Sequence, residues 1–274
     1  MEENLLFTRT FLILGGMLLL TTITSRLNKA YETNIEFFVT TIGTFLSLFI
    51  IYFLGDQFPA NIIAVGVFSL FIGWSLGPTI AAIGEDFKFR KYLKDKLVLS
   101  KQIGHGDDQK TVYYYQSEPD KTFNRVSDEF MRLTLDFEKN VLPHDRYNRE
   151  WQNIVFQALI GTTLAVFLTA AIVIFTDQDF GFLGPILYIC LTALVTMELL
   201  NFFIFKSRRR RLIQAYVGVI LFTFYLVYDF NMLEKAIARG DDSWSTAINV
   251  AVNIYLDLIN LFIDLLEILA ALSE

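Results

Sequence analysis

Cysteine and histidine are nearly missing from this chain: it holds one cysteine, Cys190, and two histidines, His105 and His144. A lone thiol excludes an intrachain disulfide, and its position in an apolar stretch leaves the redox compartment unread. Neither histidine has a cysteine or a second histidine at ligand spacing, which removes a zinc site of the usual pattern. Charge is scarce as well. Only 19% of the 274 residues are charged against 54% hydrophobic, and the mean hydropathy is positive. That balance excludes an ordinary soluble domain and defines an all-α polytopic membrane protein. The net charge of −6 argues against nucleic acid as a partner, and the Arg208 to Arg211 run does not change that. The opening residues, Met1-Glu2-Glu3-Asn4, lack the basic region of a signal peptide, and no small-residue cleavage site follows the first apolar run. That run is expected to stay as a helix.

Apolar runs of about 20 residues, enough for a hydrocarbon core of ~30 Å, begin at Leu5, Ile35, Ala60, Trp151, Phe182, Leu212 and Ser245, which predicts seven spans. The third, Ala60 to Ile83, carries Gly66, Gly73, Ser75 and Gly77, small residues that permit close helix contact, and Pro78, which predicts a kink or the start of a frayed end. Between the third and fourth spans, 85–150 is a polar insertion with thirteen Lys or Arg residues. It divides the chain into membrane segments 1–84 and 151–274 and one extramembrane segment. Within it, Lys96 to Ile103 and Lys110 to Gln116 are β-prone and flank Gly104-His105-Gly106-Asp107-Asp108, the pattern of a hairpin. From Phe123 to Asn140, apolar residues at Phe123, Val126, Phe130, Leu133, Leu135 and Phe137 recur at helical spacing, with Pro143 as the stop.

The turns after the first and fifth spans carry two and five Lys or Arg, those after the second and fourth none, and that after the sixth two. The positive-inside rule then puts the insertion, the arginine run and the C-terminus in the cytoplasm, with the N-terminus outside. Arg208, Arg209, Arg210 and Arg211 are expected to touch anionic lipid heads.

The last span, Ser245 to Leu272, is apolar enough to cross a bilayer yet acidic. At 100° per residue, Asn249, Asn253, Asp257, Asn260, Asp264 and Glu267 fall inside an arc of roughly 80°. Each carboxylate at mid-membrane costs about 3 kcal/mol on insertion scales, so this stripe faces protein or water rather than acyl chains. Asp229, near the far end of the sixth span, climbs from the same side of the membrane as Asp257. The two lie about eleven and sixteen residues from the intervening turn, an axial offset near 7 Å at 1.5 Å per residue. Two carboxylates in one low-dielectric site share a proton and titrate in two steps, so such a pair responds to pH. Carboxylate and Asn amide oxygens are hard ligands suited to Ca²⁺. Asp229 and Asp257 are therefore the expected pH sensor and cation site. Asn253, Asn260, Asp264, Glu267 and Glu198 of the fifth span form the rest of an ion path. The plainer alternative is that the two aspartates hydrogen-bond to backbone or to Tyr225, Tyr228 and Tyr255 as structural glue.

The run Asn253-Ile254-Tyr255-Leu256-Asp257-Leu258-Ile259-Asn260-Leu261-Phe262 resembles the last-helix motif of the Bax inhibitor family, the transmembrane Bax inhibitor motif proteins. Leu221 to Asp229 resembles its sixth-helix motif, and Phe71-Ile72-Gly73-Trp74-Ser75-Leu76-Gly77-Pro78 is similar to the end of its third helix. Gln157-Ala158-Leu159 and Thr176 to Gly184 also sit where the family places comparable residues. The resemblance covers all seven spans. It implies six helices around a central seventh, no cofactor, no enzymatic activity, and a pH-sensitive calcium leak governed by two aspartates that map onto Asp229 and Asp257. Two features depart from the family. The 85–150 insertion has no counterpart in a typical member, and no arginine lies between Leu27 and Phe89 to act as a latch on the aspartates.

Two rival functions differ in class. An intramembrane aspartyl protease also needs two membrane aspartates, but Ile254-Tyr255-Leu256 stands before Asp257 in place of that enzyme's Gly-x-Gly. A non-conducting regulator would bind a partner such as a membrane protease through 85–150, with Tyr113, Tyr114 and Tyr115 as exposed anchors or as ordinary strand residues.

Overall fold

A computed structural model describes residues 5–103, 110–144, 146–176 and 178–273. The elements run α1 (Leu5–Leu27), α2 (Asn34–Leu54), α3 (Ala60–Asp95), β1 (Val98–Ile103), β2 (Lys110–Tyr115), β3 (Thr122–Phe123), α4 (Asp128–Asn140), α5 (Asn148–Phe175), α6 (Leu183–Leu200), α7 (Arg208–Ala238) and α8 (Trp244–Leu272). Six stretches are long and apolar enough to cross a membrane: α1, α2, α3, α5, the Phe180–Phe205 segment that contains α6, and α7. The chain is an all-α, multi-pass integral membrane protein. The seventh expected span, α8, is 29 residues long but is not among these six. It carries the three acids, and its residues form much of the core.

Backbone contacts divide the chain into two compact units, one of residues 1–82 and 157–269, the other of 83–156 and 270–274. In the first, α1 buries Leu6, Thr10, Leu14, Met17, Thr21 and Thr24, the three- and four-residue spacing of a single helix face. That face meets α3 where α3 has no side chains. A Cβ at Gly73 would strike the Thr21 backbone, and one at Gly77 the carbonyl oxygens of Asn28 and Ser25. Pro78 sits inside α3, so no N–H reaches the carbonyl of Trp74 four residues earlier. Asn28 supplies the missing donor, its Nδ2 lying 3.0 Å from that oxygen. Pro78 therefore does not fray the helix, which continues for 17 residues to Asp95.

The second unit contains the antiparallel hairpin, with Val98 opposite Tyr115 and Ile103 opposite Lys110. Its expected loop, Gly104 to Asp108 with His105, lies outside the described residues. A third strand, β3, pairs Phe123 with Tyr113. The helix expected from Phe123 thus begins only at Asp128, where the Ser127 hydroxyl caps it by accepting from Phe130 N. Of its apolar positions Leu133 and Phe137 are buried, whereas Val126 and Leu135 are exposed. Tyr113 is no exposed anchor. It belongs to an apolar core with Tyr92, Leu93, Val98, Leu133, Phe137 and Val141, and Tyr115 donates to Glu129 over 2.7 Å. Burial together with that bond pushes the Tyr115 phenol up to about 12, so it stays neutral. The first turns beyond Glu85, expected as insertion, are still α3, because Phe87, Tyr92 and Leu93 give them a buried face.

Gly77→Leu should destabilise the protein by about 1–3 kcal/mol through overpacking at the α1–α3 crossing, lowering the thermal unfolding midpoint in detergent. Gly66→Ala is the control. Its Cβ meets only Leu20 Cδ1, at 3.8 Å, and its midpoint should hold or rise.

Candidate functional site

The turn before α8 sets where that helix starts. Asp241 Oδ1 accepts from Ser243 N at 3.0 Å, and Asp241 Oδ2 accepts from the Thr246 hydroxyl at 2.7 Å. These bonds hold the Asp241 carboxyl below the usual carboxylate range. From there Ala247, Ile248, Ala251, Ile254, Tyr255, Leu258 and Leu261 enter the core together with residues of α1, α3 and α7. Tyr255 is fully buried. Its hydroxyl donates to Thr21 Oγ1, which in turn donates to the Ser69 carbonyl at 3.1 Å. This relay links α8, α1 and α3 at membrane depth, where an unpaired hydroxyl would be costly.

Opposite that contact, the structure brings Asp229 and Asp257 together. They are 4% and 6% exposed, and their carboxyl groups are close enough to hydrogen-bond to each other. The axial offset obtained by counting residues does not keep them apart. Oδ2 of each is buried without a hydrogen-bond partner among the described residues. No Lys or Arg among the described residues is ion-paired with either. Tyr225 lies within electrostatic reach of both. Tyr255 does not serve as their glue, because its hydroxyl is used on Thr21, and Tyr228 packs its ring against Gly184.

The remaining predicted residues separate into two groups. Asn249 and Asn253 are exposed, while Asn260, Asp264 and Glu267 are half-buried. Asp264 seats its carboxylate where Gly218 has no side chain, and Glu198, exposed on α6, lies within its electrostatic reach. Glu267 accepts an ion pair from Arg211 Nε at 3.3 Å. The arginine run is not a loop, as the sequence reading had it, but the first turn of α7. Asn201 fixes the corner before it, accepting from Ser207 N at 2.9 Å and donating to Ser207 O at 3.1 Å and Gln214 Oε1 at 3.3 Å. Arg210 stacks over Phe205 at 3.6 Å. No group of three or more His, Cys, Asp or Glu among the described residues is arranged to hold a metal ion, so the aspartates offer a cation two side chains and no cage. His144 lies in a short 3₁₀ turn away from these acids in sequence and unit.

Sequence reasoning missed the Tyr255–Thr21–Ser69 relay, the Asn28–Trp74 repair and the Asn201 corner. The available signal was the same each time: a single polar residue inside an apolar run must find a partner.

Fold and site together define a multi-pass membrane protein with a carboxyl pair buried between its last two helices. Residues 147–274 match the family model described as "Inhibitor of apoptosis-promoting Bax1". This chain is 38% identical over 121 residues to an uncharacterized protein of Campylobacter jejuni, covering 44% of this chain and 49% of that one. It is 32% identical over 120 residues to a protein of Helicobacter pylori, covering 44% and 49%. Over 121 residues it is 33% identical to Protein LIFEGUARD 4 of Arabidopsis thaliana, covering 43% and 47%. The chain spans about half the length of the curated relatives it matches. Over residues 147–274 it is similar to the Bax inhibitor family. The match does not extend to the first three helices, where the resemblance rests on Phe71 to Pro78.

Tyr255→Phe removes the donor to Thr21 and should cost about 0.5–1.5 kcal/mol, read as a lower unfolding midpoint. Adding Thr21→Val to it should cost less than the two single effects summed, because the two side chains share one bond.

Proposed function

We propose that the protein is a pH-sensitive cation leak, with Ca²⁺ as cargo, in which Asp229 and Asp257 sense protons and gate the path. The observation that carries this reading is the buried carboxyl contact, with no Lys or Arg among the described residues ion-paired to it. A hydrogen bond between two carboxyl groups requires a proton, so the closed pair holds one between them and bears a single negative charge. Losing it leaves two like charges side by side. At ~4 Å and an effective dielectric of ~20 their repulsion is on the order of 4 kcal/mol, enough to part α7 from α8. The freed carboxylate oxygens are then hard ligands for a passing divalent cation. Acidification closes the path and a rise in pH opens it. The topology that goes with this places the N-terminus outside and 85–150 in the cytoplasm.

Asp179, in the turn before α6, is a poor sensor near neutral pH. A hydrogen bond from Lys235 holds Asp179 below the usual carboxylate range. A group with a lowered folded value contributes above its unfolded pKa and is lost only as pH falls through the folded one. The Asp179–Lys235 contact therefore persists down to strongly acidic pH.

A second reading, a non-conducting regulator that binds a membrane partner, is favoured by one observation: residues 83–156 form a compact unit with an apolar core of their own. Replacing residues 97–145 with a short linker, which spares α3 and α5, separates the two. A leak keeps its permeability and a tether loses its partner.

Reconstituted into liposomes, the protein should pass Ca²⁺ increasingly as pH is stepped upward. Asp229→Asn and Asp257→Asn should each flatten that response at the low-pH level, whereas Asp179→Asn leaves it intact. Flux and pH response unchanged in both aspartate variants would end this proposal.

A further inference from the structure

Between Ala247 and Leu258 every residue of α8 is buried except Asn249 and Asn253, which are exposed, and Leu256, which is half-buried. The two asparagines stand one helical turn apart and Asp257 follows one turn further on, so the three form a ladder with steps of about 6 Å. A carboxamide exposed at that depth cannot be facing acyl chains cheaply. It would leave an oxygen and two N–H bonds without partners, at a cost of several kcal/mol. Water, or a cation carried in with it, is the occupant its chemistry fits.

Past Asp257 the same face changes character. Asn260, Asp264 and Glu267 are half-buried. The Asp264 carboxylate fills the notch left by Gly218, and one turn nearer the end Arg211 pairs with Glu267. Here α7 and α8 are drawn together by contacts that only a glycine and an ion pair allow. The aspartate pair thus separates an open half of the polar face from a closed one.

We propose that Asp229 and Asp257 are entered from one side only, by water and hydrated cations that pass Asn249 and Asn253 from the end bearing the α7–α8 turn. In this conformation the Gly218–Asp264 seat and the Arg211–Glu267 pair close the opposite end. The carboxamide oxygens of the two asparagines replace part of a hard cation's water shell on the way in. The inference rests on the aspartate pair being the ion site proposed above, but its test reads chemical access rather than flux, so either can fail without the other.

The test uses the full chain in liposomes in a Cys190→Ser background, with single Asn249→Cys, Asn253→Cys, Asn260→Cys and Phe45→Cys variants. Phe45, on α2, is 61% exposed and serves as the lipid-facing control. A membrane-impermeant cationic methanethiosulfonate is applied to each face separately. A thiol in water ionises and reacts, while one in hydrocarbon stays protonated, so Asn249→Cys and Asn253→Cys should react at least about tenfold faster than Phe45→Cys, and only from the turn side. Asn260→Cys should react from the arginine side only when Glu267→Gln is added. The proposal is overturned if Asn249→Cys and Asn253→Cys react no faster than Phe45→Cys, or equally from both faces. It is also overturned if Asn260→Cys is modified from the arginine side with Glu267 intact.

Discussion

A carboxylic acid cannot be left facing hydrocarbon, and α8 carries three acids on one stripe. That constraint governs the membrane unit. It requires α8 to be enclosed rather than peripheral, and it requires whatever touches the stripe to accept polar groups. α7 meets both demands with three different residues: Asp229 faces Asp257, Gly218 makes room for Asp264, and Arg211 neutralises Glu267. The three contacts run along one helix pair and differ in kind, from two neighbouring carboxyl groups to a steric notch to an ion pair. A helix pair held only by apolar packing would have no reason to be sensitive to protons. This one has its least replaceable contact made of titratable groups.

The opposite face of α8 is held by means that do not titrate near neutrality. Tyr255 is tied to Thr21 and, through it, to Ser69, and α1 closes on α3 across Gly73 and Gly77. Asn28 repairs the backbone vacancy that Pro78 creates, so α3 runs unbroken through the proline. These contacts give α8 a fixed wall on one side. The paired acids lie on the other side, toward α7. The ends of α7 are also anchored, by the Asn201 corner at one end and by Lys235 on Asp179 at the other.

Much of this was legible in the sequence because membranes impose strong rules. Length and hydropathy located six spans, all but the end of α3 within a few residues, and helical projection placed the acids of α8 on one face before any contact was known. The Asp229–Asp257 meeting followed from the short turn between two antiparallel helices, and the axial offset obtained by counting residues does not keep the carboxyl groups apart. What was hidden shares a cause. Hydropathy marks where the bilayer ends, not where a helix ends, so it stops α3 at Ile83 and leaves Arg208 to Arg211 outside α7, whereas the helices run to Asp95 and from Arg208. In the polar insertion, a two-residue strand at Thr122–Phe123 and a cap at Ser127 displaced the start of α4, and Tyr113 turned inward. Partners that depend on long-range packing, such as Arg211 with Glu267, have no local signature. The family match is likewise confined to residues 147–274, the part that contains both aspartates.

The membrane unit depends most on whether Asp229 and Asp257 interact. A double-mutant cycle on unfolding free energy in detergent at neutral pH, with Asp229→Ala, Asp257→Ala and the double variant, measures that directly. The structure predicts non-additive effects, with a coupling of about 0.5–3 kcal/mol between the two positions. Effects that sum to the double variant's within about 0.5 kcal/mol would show two independent carboxyl groups and contradict it.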